Sequence, residues 1–161
     1  MIGGGTVVSR GCSGKGYVLV RGDRIAEVGM GNHAGDFNGE RIDASGKLIM
    51  PDVIDDQVHL REPGLTYKED IHSGSVAAVA GGVTSFMEMP NTKPPTTTPG
   101  ELEWKMERAA GVSVANYSFY IGATHPNLAE RTRPDPELTD GGKVFMASST
   151  GNMTLVDPRP L

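Results

Sequence analysis

Cysteine is almost missing from this chain. Cys12 stands alone among 161 residues, which excludes an intrachain disulfide and a zinc site built from several thiolates. So little cysteine fits a reducing compartment, and the expected location is the cytoplasm. Long apolar runs are missing as well. No stretch approaches the roughly 18 apolar residues that a membrane-spanning helix needs. The first residues carry neither the basic nor the apolar region of a secretory signal. Basic residues are few and unclustered, 15 against 20 acidic ones for a formal net charge of -5, so neither a nucleic-acid surface nor a membrane is an expected partner. No repeat of fixed period is visible.

What is present is glycine, 22 residues in all, many of them before residue 50 in clusters such as Gly3-Gly4-Gly5. That density suits tight turns between short strands, where positive φ is needed. Hydrophobic residues at 37% and charged residues at 22% are within the range of a folded globular chain.

Residues 1–50 read as a small β unit. Thr6-Val7-Val8, Tyr17 to Val20 and Arg24 to Val28 are β-branched or aromatic runs, the last two joined by a Gly22-Asp23 turn. Arg41 to Asp43 and Lys47 to Met50 flank a second turn. After Pro51 the pattern changes. Val53 to Leu60 reads as a buried strand, and Arg61 to Thr66 as a loop. Lys68 to Ala80 reads as a helix with Glu69 and Asp70 in its first turn and Gly81-Gly82 as its stop. Thr84 to Met89, Val112 to Ile121 and Lys143 to Ala147 read as three more strands. Glu101 to Ala110 is a helix, and Pro126 to Glu130 opens an irregular or helical stretch. This alternation is the βαβ rhythm of a parallel sheet, open or part of a barrel.

Ligands bind such folds at the C-terminal ends of the strands, and three of the four runs there carry polar groups. Gln57, His59 and Arg61 are spaced two apart and would share one face of a strand. Imidazole suits zinc and guanidinium suits a carboxylate, although a lone histidine also fits a structural position. Lys143 is either a lysine reaching to the rim or a desolvated, chemically active one. Asn91 fits a turn as well as a ligand contact. His33, His72 and His125 fit surface positions.

At these residues the sequence resembles a known family. The stretch Lys47 to His59 is similar to the amidohydrolase signature Pro-Gly-x-Ile-Asp-x-His-x-His, and Leu60-Arg61-Glu62-Pro63-Gly64 resembles its dihydroorotase form. Lys68-Glu69-Asp70-Ile71, Ala80 to Thr84, Met89-Pro90-Asn91-Thr92 and Gly142 to Met146 follow in the family's order. The resemblance implies an α/β fold: a partial (β/α)8 barrel of about four strands over 51–161, preceded by part of a small β-sandwich over 1–50. It implies a dihydroorotase, which closes N-carbamoyl-L-aspartate to L-dihydroorotate reversibly in pyrimidine synthesis through zinc-activated water. By motif position, His59, Gln57 and N-carboxylated Lys143 would be zinc ligands, and Arg61 and Asn91 would hold the substrate carboxylate.

Two departures stand out: Gln57 replaces the first signature histidine, and Asp52 replaces the glycine after Pro51. The later histidines and the general-base aspartate that the family uses are not found, so the sequence reads as an inactive, truncated portion of a homo-oligomeric enzyme. Two other readings stay open. One is a hydantoinase-like or allantoinase-like cyclic amidohydrolase. The other is a non-catalytic relative that serves as a structural partner of aspartate carbamoyltransferase.

Overall fold

The computed structural model of the protein describes residues 1–33, 35–124, 127, 138–147 and 153–154. Pro126 and the stretch 128–137, expected to open as an irregular or helical connection, lie outside them, as does His125. The chain divides into two compact units, Met1–Pro51 and Asp52–Leu161.

The first unit is a five-stranded sheet. Strands β1 (Ile2–Ser9), β2 (Cys12–Arg21) and β3 (Arg24–Met30) form an antiparallel meander, and the short β4 (Ile42–Asp43) and β5 (Leu48–Ile49) pair parallel to β1. Its turns use glycine where the backbone goes left-handed, at Gly11 between β1 and β2 and Gly22 between β2 and β3, with φ of 81° and 63°.

In the second unit, β6 (Val53–Val58), β7 (Val83–Glu88) and β8 (Asn116–Phe119) form a parallel sheet in that order. Tyr120 interrupts the third strand, which resumes as β9 (Ile121–Gly122) and pairs parallel with β10 (Gly142–Lys143). Helix α1 (Ile71–Ala80) connects β6 to β7, and α2 (Pro99–Val112) connects β7 to β8. Leu60, Ile71, Phe86, Leu102, Ala109 and Phe119 form one buried cluster drawn from both helices and from the strands or the residues just beyond them. The second unit is therefore α/β.

Local chemistry corrects several boundaries. Helix α1 begins at Ile71, and Lys68, Glu69 and Asp70 precede it. Asp70 is its N-cap: its carboxylate accepts from the Ser73 N–H at 2.7 Å while the Ser73 hydroxyl accepts from the Asp70 N–H. The bond from the Ser73 N–H, with a second from the Ser73 hydroxyl to the same carboxylate at 2.8 Å, holds the Asp70 carboxyl below the ordinary carboxylate value. Helix α2 starts earlier than expected because Thr98-Pro99-Gly100-Glu101 is a capping box with proline at the first helical position. It runs on through Val112, so the third strand starts at Asn116 rather than Val112. The fourth strand is confined to Gly142–Lys143, with one further bridge from Phe145 to Thr154. Nor is β6 buried. Among the described residues it pairs with β7 alone, and most of its residues are exposed.

The loop after β6 is packed against the loop after β7. Gly64 has φ +81°, and a Cβ there would lie 1.9 Å from the Lys93 carbonyl oxygen. Gly64→Ala is therefore expected to destabilise the protein by at least about 1–3 kcal/mol, the usual cost of a strained backbone conformation, measurable by urea denaturation.

Candidate functional site

The C-terminal ends of the parallel strands bring the candidate side chains together. Gln57 is exposed near the end of β6, and His59 sits half-buried just beyond it. Lys143, half-buried in β10, donates from Nζ to the Gln57 carboxamide oxygen at 3.2 Å. The His59 Nδ1 lies 2.8 Å from Asn91 Oδ1. The Arg61 guanidinium donates to the Asn91 carbonyl oxygen at 3.0 Å. Hydrogen bonds thus join the five residues into two groups, Lys143 with Gln57 and His59 with Asn91 and Arg61. The positive charges of Arg61 and Lys143 both act on the His59 ring.

Strand alternation does not carry Arg61 to this place. Extended pairing ends at Val58, and Arg61 has φ 65°, a left-handed conformation that non-glycine residues adopt rarely. The chain turns there, closed by the Leu65 N–H donating to the Arg61 carbonyl at 3.0 Å. Asn91 is buried in an equally tight turn, in which the N–H groups of Thr92 and Thr96 both donate to the Pro90 carbonyl at 2.9 Å. Backbone hydrogen bonds fix the turns from which both side chains project.

Burial pushes the His59 pKa below its ordinary 6.5, and Arg61 and Lys143 push it the same way, while the bond to Asn91 and the charge of Asp55 oppose them. The ring is neutral at pH 7. With Nδ1–H donating to Asn91 Oδ1, the lone pair is on Nε2, the tautomer that metal ligation through Nε2 requires. The linkage has a definite sign. Because the folded value is the lower one, the unfolded chain binds this proton more readily. Stability from this group is complete above pH 6.5 and falls as the pH drops through that value toward the folded pKa. In chelator-treated protein, NMR titration should find His59 titrating below the ordinary histidine value of 6.5. Asn91→Ala should lower it further, since that bond raises the value.

Sequence reasoning missed a second set of charges beneath the site. Glu88, the last residue of the central strand β7, and Lys105 of α2 form an ion pair with no exposed side-chain surface. Burial pushes the Glu88 carboxyl up and the Lys105 ammonium down, and each charge partly offsets the other's shift. Nearby, buried Glu62 accepts from the Ile71 N–H at the start of α1 at 2.9 Å and from Arg108 Nε at 2.7 Å. A signal for the first pair existed. Leu102, Lys105 and Ala109, the buried residues of α2, follow the spacing of a core-facing stripe, so a lysine in it must be buried with a partner.

These donors would fit one side of a metal. The neutral His59 imidazole is a zinc ligand by type, the Gln57 amide oxygen a weak one, and the Lys143 amine a ligand only after carboxylation to an anion. The described residues contain no group of three histidine, cysteine, aspartate or glutamate side chains able to hold a metal. Further ligands would have to come from outside them.

A parallel α/β unit with imidazole, amide and cationic groups at its strand ends has the layout in which such folds bind ligands. A family model described as dihydro-orotase-like matches residues 46–149, and the chain belongs to that family. The dihydroorotase of Trichlorobacter lovleyi is 52% identical over 150 residues, covering 91% of this chain and 35% of that protein. The dihydroorotase of Methanosarcina mazei is 42% identical over 116 residues, covering 71% of this chain and 25% of that protein. Among solved structures, the L-hydantoinase (dihydropyrimidinase) of Arthrobacter aurescens superposes with a TM-score of 0.79 at 28% identity, covering 95% of this chain and 34% of that one. The chain thus spans a quarter to about a third of the length of these relatives. No described helix is long and apolar enough to cross a membrane.

Proposed function

We propose that this chain supplies the first part of the active site of a zinc-dependent dihydroorotase, which interconverts N-carbamoyl-L-aspartate and L-dihydroorotate. The observation that carries the reading is the Arg61–Asn91–His59 arrangement. A guanidinium and a neutral imidazole, tied to one buried asparagine, meet the needs of a ring that carries a carboxylate beside the amide to be broken. Arg61 would bind the carboxylate bidentately, and Asn91 would orient both neighbours. Holding the ring in one pose supplies much of the rate gain available to such a reaction.

His59, through Nε2, and Lys143, as its carbamate, would hold the zinc, with Gln57 beside them. Zinc, when bound, supplies Lewis acidity and activates water near neutral pH. In the present arrangement the Lys143 ammonium donates to Gln57. Carboxylation would replace the positive charge with an anionic carbamate, whose oxygens could ligate the metal while the one remaining N–H could still donate to Gln57.

We also read Asp52–Leu161 as the opening strands of a (β/α)8 barrel and Met1–Pro51 as part of a small β-sandwich. The parallel order of β6, β7 and β8 with intervening helices and the likeness to the hydantoinase support this. The same reading places the enzyme in a reducing compartment, where exposed Cys12 stays a thiol.

The hydantoinase likeness favours one alternative, a cyclic amidohydrolase for rings without a carboxylate. The test is turnover by the protein at the length its own cells make. We expect L-dihydroorotate to be opened with a kcat/KM at least about 100-fold above that for hydantoin or allantoin, a difference on the scale of one charge-assisted contact. Equal or reversed preference would select the alternative, and no turnover of any ring would select a non-catalytic role.

A further inference from the structure

Glu88 and Lys105 form a buried ion pair that the proposed chemistry does not use. Core charges are costly to desolvate, and a well-packed apolar pair is often at least as stable. What distinguishes this pair is where its remaining hydrogen bonds go. Glu88 Oε1 accepts from the Arg61 backbone N–H at 3.2 Å, at the residue whose φ of 65° turns the chain. Lys105 Nζ lies 3.5 Å from the Met89 carbonyl oxygen, two residues before Asn91. Arg61 and Asn91 are in turn bonded to each other. The contacts therefore close into a ring: Lys105 to Glu88, Glu88 to Arg61, Arg61 to Asn91, and back through Pro90 and Met89 to Lys105.

We propose that the Glu88–Lys105 pair is a positioning device for Arg61, fixing the angle at which its guanidinium meets the substrate carboxylate. The inference deepens the function proposed above and rests on it for the substrate. Glu88 anchors the turn at its backbone and Lys105 neutralises that anchor. Neither residue touches substrate. A pair with a purely structural role would stabilise the core without singling out Arg61.

The first readout needs no catalysis. Hydrogen exchange by NMR should find the Arg61 amide protected in the native chain, and an unprotected Arg61 amide there would overturn the proposal outright. The double variant Glu88→Met/Lys105→Met removes both charges while filling the space. It should speed Arg61 exchange at least tenfold while the strand amides of Phe86 and Met87 stay protected. Glu88→Gln/Lys105→Met keeps an oxygen facing Arg61 and should retain most of the protection. Unchanged Arg61 exchange in the Met/Met variant, or equal loss in both variants, would overturn it.

The second readout is kinetic, in the protein at its native length. Met/Met should raise KM for L-dihydroorotate at least tenfold and move kcat less, with Gln/Met closer to wild type. An unchanged KM would overturn the positioning role. A wild-type protein that opens no cyclic amide would sink the functional reading instead, and the exchange result would still stand.

Discussion

Lys105→Met is expected to destabilise the protein by about 3–5 kcal/mol, the cost of leaving a buried charge without its partner. Both side chains of the pair are fully buried, so water cannot take over the role of the lost ammonium, and Glu88 must either protonate or stay charged in a low-dielectric core. Glu88→Met in the same protein should recover most of that loss. The double variant should remain about 1–3 kcal/mol below wild type, because the Arg61 N–H loses its acceptor. Chemical denaturation of the two single variants and the double variant gives the coupling directly. Single-variant losses that simply add would show that the two groups do not form a functional pair.

Arg61→Met is the change with the largest expected effect on activity. Removing one partner of a desolvated charge pair costs about 2–5 kcal/mol, roughly 30- to 5,000-fold in kcat/KM for L-dihydroorotate. The loss should be specific: turnover of hydantoin, which presents no carboxylate, should change little. Arg61→Lys should recover only part, because an ammonium cannot reproduce the bidentate fork. An equal fall for both rings would mean that Arg61 supports the loop and does not read the substrate.

Much of the fold was legible where chemistry is local. The β-branched runs at Thr6 to Val8, Tyr17 to Val20 and Arg24 to Val28 lie within β1, β2 and β3, and Gly82, with φ +88°, follows α1 where a glycine stop belongs. Boundaries that depend on side-chain caps were less so. Asp70 reads as a first-turn acid until its bond to the Ser73 N–H makes it the cap, and Thr98 caps α2 through a four-residue pattern that the Pro/Thr-rich composition around it obscures. Val112 is β-branched, yet tertiary packing keeps it in the helix.

The site follows the same division. Motif order named Gln57, His59, Arg61, Asn91 and Lys143, and the fold places them together. Alternation could not place Arg61, because a left-handed residue breaks the two-residue period. Glu88 and Lys105 carried no motif at all. Their importance is a property of burial, which a sequence shows only as a charged residue in an otherwise apolar stripe.

The central claim is that the strand ends around His59 and Lys143 are part of a zinc site. Zinc per chain, by elemental analysis of protein purified without chelator at its native length, tests it most directly, with the variant His59→Ala/Lys143→Ala alongside. The account predicts about one zinc or more per chain in the native protein and loss of at least half of it in the variant. A native protein without zinc, or a variant that keeps its full complement, would contradict it.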